Sequence, residues 1–181
     1  MPIHDLLAFA GAFLVFAASP GPDNLTILAR TLSHGAASGI AYGLGTVSGI
    51  LIFLVAAAFG LDALARHYAP LFEILRWLGA GYLVVAGLRL WCAPAGEARP
   101  RALEGGFGRI WLTGLALNLG NPKMPLFYLA LLPAVFAGGV PGGLGLAELV
   151  ATVLVVEALV IGGHVLLARR ARHLLARPRS A

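Results

Sequence analysis

Charge is scarce in this chain. Asp, Glu, Lys and Arg make up 12% of 181 residues, while 59% are hydrophobic. A soluble domain carries about 25% charged residues, so this composition argues against one. Cysteine is reduced to Cys92, which rules out an internal disulfide or a cysteine-based metal site. The five histidines never pair at helix spacing, and no metal site is expected. No Lys or Arg precedes Arg30, whereas a cleaved signal peptide needs a basic start. Ala17-Ala18-Ser19 mimics a cleavage site, but Pro20 follows and an apolar run resumes. There is no P-loop, which argues against ATP-driven pumping. Gly-x-Ser-x-Gly and His-Glu-x-x-His are missing too, and Ser19 and Ser48 lack a nearby base. No catalytic residue, enzymatic activity or cofactor is expected. The net charge of +5 would point to nucleic acid in a soluble protein. Here the basic residues are not interleaved with exposed aromatics, so no nucleic-acid partner is expected.

What the chain does have is long apolar runs. Five are visible, over about Leu6–Leu28, Ala36–Leu61, Pro70–Trp91, Ile110–Phe136 and Leu144–Ala168. Each is near the roughly 20 residues that a bilayer-spanning helix needs, and none alternates as barrel strands do. The fold class read from this is an all-α integral membrane protein with five predicted transmembrane helices, forming one transmembrane domain over 1–181. Gly43-x-Gly45-x-x-x-Gly49 has no strand before it, so it reads as close helix packing rather than a dinucleotide motif. The loop 93–109 is the natural joint between two halves. Basic residues divide ten to two between the two sides, with Arg30, Arg89, Arg109 and the tail from Arg169 on the richer one. By the positive-inside rule that side is cytoplasmic, which puts the N-terminus outside and the C-terminus inside.

Two of the runs are interrupted. Ser19-Pro20-Gly21-Pro22-Asp23-Asn24 breaks the first, because each proline removes a helical hydrogen bond and clashes with the preceding turn. Asn118-Leu119-Gly120-Asn121-Pro122-Lys123-Met124-Pro125 breaks the fourth. Backbone freed at membrane depth survives only where it lines a cavity or is buried in protein. Interrupted segments at corresponding places in two halves point to a transporter site at an inverted-repeat interface. Three helices per half would insert the halves with opposite orientation.

Asp23, Lys123 and Glu157 fall inside the expected spans, where a charge facing lipid is costly. A pseudo-two-fold would bring Asp23 and Lys123 together, as a structural ion pair, as substrate or proton ligands, or as both. Eleven residues separate Glu157 from Arg169, a depth of about 16–18 Å along a helix. Glu157 is either a proton carrier or a buried carboxyl bonded to Asn118 or Asn121. His164 reads as packing or an interfacial contact rather than a proton relay, and Glu73 with Arg76 as a local pair. Helix N-termini following Pro22 and Pro122 suit a carboxylate. Freed carbonyls with Asp23 suit an ammonium, so the matching ligand is a zwitterionic amino acid.

These motifs resemble the LysE-type translocators, the LysE/RhtB group of amino-acid exporters. The resemblance rests on Ser19–Asn24 with Arg30 and the glycine-rich second run, on Arg76–Leu83 with Gly87, on Gly114–Asn118 with Asn121-Pro122-Lys123 and Phe127, and on Glu157. It implies proton-driven export of amino acids or related metabolites across the bacterial cytoplasmic membrane. Its implied substrate-binding residues are Pro20, Gly21, Pro22, Asp23, Asn24, Asn118, Asn121, Pro122 and Lys123, with Asp23 and Glu157 as proton-coupling candidates. Implied partners are a small zwitterion, protons, the lipid bilayer and a second copy of the chain in a homodimer. The family pattern is six helices in two inverted three-helix repeats, the sixth following a basic stretch like Arg169–Arg179. This chain stops at Ala181, so the expectation is a first repeat over about 5–92, an incomplete second over about 110–170 and a basic tail over 171–181. The alternative to an exporter is a truncated, non-transporting membrane protein, acting as an interaction partner or a defective exporter.

Overall fold

A computed structural model describes residues 1–67, 77, 105–121, 123–135 and 142–175, and all regular structure among them is helical. The elements are α1 (Ile3–Ala18), α2 (Pro22–His34), α3 (Ala36–His67), α4 (Phe107–Leu119), α5 (Lys123–Val135) and α6 (Gly143–Leu175). The third expected run, Pro70–Trp91, lies outside the described residues apart from residue 77, as do Glu73, Arg76, Cys92, Pro122 and the end of the tail.

The first interruption follows from proline stereochemistry. A proline ring pushes the residue before it out of the helical region. Ser19 before Pro20 is extended, at φ −62° and ψ 139°, and Gly21 before Pro22 is extended as well. Pro22 then occupies the first turn of α2, where its missing N–H costs nothing. The axes of α1 and α2 consequently meet at 58°. In the fourth run the chain leaves the helix after Leu119, passes through Gly120 and Asn121, and resumes at Lys123.

Two helices are long and apolar enough to cross a bilayer, over Ala36–Gly60 and Gly143–Arg172, and α1 with α2 makes a third if the bent pair is one span. Much of the outer surface is bare hydrocarbon: Leu7, Val15, Phe59, Val155, Leu159 and Leu166 are all exposed. Water does not tolerate so broad an apolar exterior in a monomer, and acyl chains do.

Helix α3 is the hub, packed against α2, α4, α5 and α6. Its glycine stripe makes the contact with α4. A Cβ on Gly45 would run into the carbonyl oxygen of Trp111, and one on Gly49 would sit 2.5 Å from Asn118 Oδ1. Small residues let the backbones meet where no hydrophobic force between helices would hold them. The core separates into two apolar clusters. One gathers Phe9, Phe13, Leu54, Phe127, Tyr128, Leu149 and Val153 near the start of α1. The other gathers Ile27, Ala41, Tyr42, Ile110, Ile161 and Val165 towards the end of α2. Polar groups collect between them.

Candidate functional site

A cavity of about 30 Å³ lies where the two interruptions face each other, lined among others by Gly21, Asp23, Asn118, Asn121, Lys123 and Glu157. That is room for a water molecule, not for an amino acid.

Asp23, in the first turn of α2, is its principal acceptor. The Tyr42 hydroxyl donates to Oδ1 at 3.0 Å. The Asn118 and Asn121 amides donate to Oδ2 at 3.3 and 3.5 Å. Asn118 is completely buried. Its Oδ1 has no hydrogen-bond partner among the described residues.

Lys123 opens α5, and its backbone N–H donates to Asn121 Oδ1 at 3.0 Å. Its ammonium crosses to the first interruption, donating to Ser19 Oγ at 2.9 Å and to the Phe16 carbonyl at 3.3 Å. It also lies 4.3 Å from the centre of the Phe16 ring, a cation–π contact. Among the described residues no ion pair joins Lys123 to Asp23, although the two interact electrostatically. The ammonium satisfies the end of α1 instead, close to Gly21, where a Cβ would lie 3.6 Å from Nζ.

Asn24 closes the same helix end from the other side, its amide donating to the carbonyls of Ala17 at 2.7 Å and Ser19 at 3.0 Å. Lys123 and Asn24 thus occupy the carbonyls of Phe16, Ala17 and Ser19 at the first break. The start of α2, by contrast, has no side-chain cap, so its first N–H groups remain available to an anion. Glu157 is 5% exposed and interacts electrostatically with Asp23 and Lys123. The Asn118 and Asn121 amides donate to Asp23, and among the described residues neither is bonded to Glu157, the alternative to a proton carrier. His164 Nδ1 lies 2.7 Å from the Val160 carbonyl one turn back.

Of the residues nominated from sequence, Gly21, Pro22, Asp23, Asn24, Asn118, Asn121, Lys123 and Glu157 line the one cavity. Pro20 is exposed and shapes the turn, and Pro122 lies outside the described residues. Sequence reasoning missed Tyr42, the Lys123-binding pair Ser19 and Phe16, and Thr46, Ile50 and Met124 in the wall. Ser19 and Met124 had a local signal, their places inside the two proline motifs.

A family model described as LysE type translocator matches residues 14–181. The chain belongs to the LysE type translocator family. A homoserine/homoserine lactone efflux protein of Salmonella typhimurium is 31% identical over 153 residues, covering 84% of this chain and 74% of that relative. An uncharacterized membrane protein of Vibrio cholerae is 30% identical over 135 residues, 74% of this chain and 65% of its own length. A leucine efflux protein of Salmonella choleraesuis is 34% identical over 113 residues, 61% of this chain. This chain spans about half of that leucine relative, 53% of its length. No solved structure matches. Family membership and the apolar helices make the chain a multi-pass membrane protein and a translocator, not an enzyme.

Proposed function

We propose that the chain is a secondary exporter of amino acids or related small zwitterions, proton-coupled, in the bacterial cytoplasmic membrane. The substrate site lies between the two proline-broken helices. The observation that carries this reading is Asp23, an acidic group at the bend of a candidate span, held by donors from Tyr42, Asn118 and Asn121 beside the Lys123 ammonium. Relatives named for efflux of homoserine and of leucine support a zwitterionic substrate. Its ammonium would displace amide donors from Asp23, and its carboxylate would meet the uncapped start of α2 and Lys123. Because the cavity in this state admits only water, loading requires the two interruptions to separate, which fits alternating access around a fixed site.

Proton coupling is assigned to Asp23 and Glu157. Both carboxyls line the cavity, and Glu157 is buried, where an uncompensated charge is costly. The N-terminus is placed outside and the C-terminus in the cytoplasm on the distribution of basic residues.

The test is efflux of leucine and of homoserine from loaded vesicles. Asp23→Asn and Lys123→Met should each abolish proton-driven efflux, and undiminished transport in both would remove the site assignment. Glu157→Gln should lose net efflux against a pH gradient while keeping exchange of labelled for unlabelled substrate. A pH dependence identical to the wild type would exclude Glu157 as the proton carrier.

A further inference from the structure

A second cavity, of about 360 Å³, is large enough for a small molecule. The apolar cluster of Ile27, Ala41, Tyr42 and Ile110 separates it from the first: Ile27 contributes to the wall of the Asp23 cavity, Ala41 and Ile110 to the wall of the other. Arg30 lines this second space. It stands two helical turns beyond Asp23 on α2, about 10 Å along the axis. The side chain is 2% exposed, and its Nε donates to the buried Ser38 hydroxyl at 3.0 Å. Ser38 and His34 are the other polar side chains in the lining, and Phe107 continues the apolar wall.

We propose that this cavity is a carboxylate-binding site, where Arg30 receives the carboxylate of an amino acid before the substrate reaches Asp23. A guanidinium matches a carboxylate in shape and charge, and charge-assisted hydrogen bonds are strongest where walls are apolar and the local dielectric is low. The two cavities have opposite chemistry. Arg30 can only donate and no carboxylate lines its cavity, so there a zwitterion is held by its carboxylate alone, whereas the Asp23 cavity offers an acceptor for the ammonium as well. Tyr42 sits between them, bonded to Asp23 at 3.0 Å. Together with Ile27 it forms the partition that substrate must pass. The basic residues that mark the expected cytoplasmic side continue beyond Arg30, so this cavity lies on the side from which an exporter loads. The choice of an amino acid as ligand rests on the export reading.

The test is equilibrium binding of radiolabelled isocaproate, a carboxylate of leucine's size without an ammonium, to the full chain in phosphatidylcholine nanodiscs. Saturable binding is expected in the wild type, weakened about tenfold or more in Arg30→Gln and less in Arg30→Lys. Asp23→Asn should keep isocaproate binding while losing efflux. If Arg30→Gln is not recovered folded, Arg30→Lys and Ser38→Ala carry the test, and unchanged affinity in both overturns the proposal. Isocaproate bound equally by Arg30→Gln, or not at all by a wild type that exports leucine, also overturns it and leaves the export reading standing. Arg30-dependent isocaproate binding in a chain that exports nothing would sink the export reading and keep the site. Arg30-dependent retention of phosphatidylglycerol without isocaproate binding would assign the cavity to lipid and overturn the proposal.

Discussion

The two helix interruptions are built from similar residues and do opposite jobs. The first, between α1 and α2, presents acceptors: Asp23, the Phe16 carbonyl and Ser19 Oγ. The second, between α4 and α5, presents donors: the Asn118 and Asn121 amides and the Lys123 ammonium. Each break makes capping bonds of its own, through Asn24 and Asn121, and the charged side chain of each is met by groups of the other. A broken helix in a membrane needs partners for its freed backbone, and here the partner is the other break. On the proposed site, a ligand entering between the breaks would have to loosen these same bonds.

Disturbing the donor side at Lys123 has the largest expected effect. Lys123→Met leaves the end of α1 without its cation, and efflux should fall by about a hundredfold or more; Lys123→Arg, which keeps the charge with a different shape, should recover part of it. Next is Gly49→Ala on α3, whose methyl would press on Asn118 and misplace its amide. A loss of about 1–3 kcal/mol in thermal stability is expected, and an unchanged melting temperature would show that α3 and α4 can part freely. A smaller change is expected from Tyr42→Phe on the acceptor side. It removes one of the donors to Asp23 at a cost of about 1 kcal/mol, read as an efflux rate lowered several-fold at most. Asn24→Ala should be the mildest, since Lys123 and Asn24 share the end of α1, and proteolysis at the bend would report it.

The interruptions were legible because proline acts locally: Pro20 and Pro22 decide the backbone of Ser19 and Gly21 whatever surrounds them. That the two motifs belong together was legible from their matching places in two apolar runs. The partner of Lys123 was not. Opposite charges at matching positions invite an ion pair, but a long side chain reaches the nearest unsatisfied group, and the carbonyl end of α1 was nearer than Asp23. Tyr42 was invisible for another reason: within an apolar run a tyrosine reads as packing, and only the approach of α2 to α3 turns its hydroxyl onto Asp23. The glycines at 45 and 49 announced a close helix contact without naming α4 as the other side. Arg30 was read for orientation and as part of the family motif, and its cavity emerged only once α2, α3 and the start of α4 were placed.

The most direct test of the complementary breaks is a double-mutant cycle on thermal unfolding of the purified protein, with Asp23→Asn, Lys123→Met and the two combined. If the breaks form one electrostatic unit, the double variant should melt no lower than the worse of the single ones, because removing both charges leaves neither unbalanced. Losses that simply add would show that the two interruptions are independent and would contradict a single shared site.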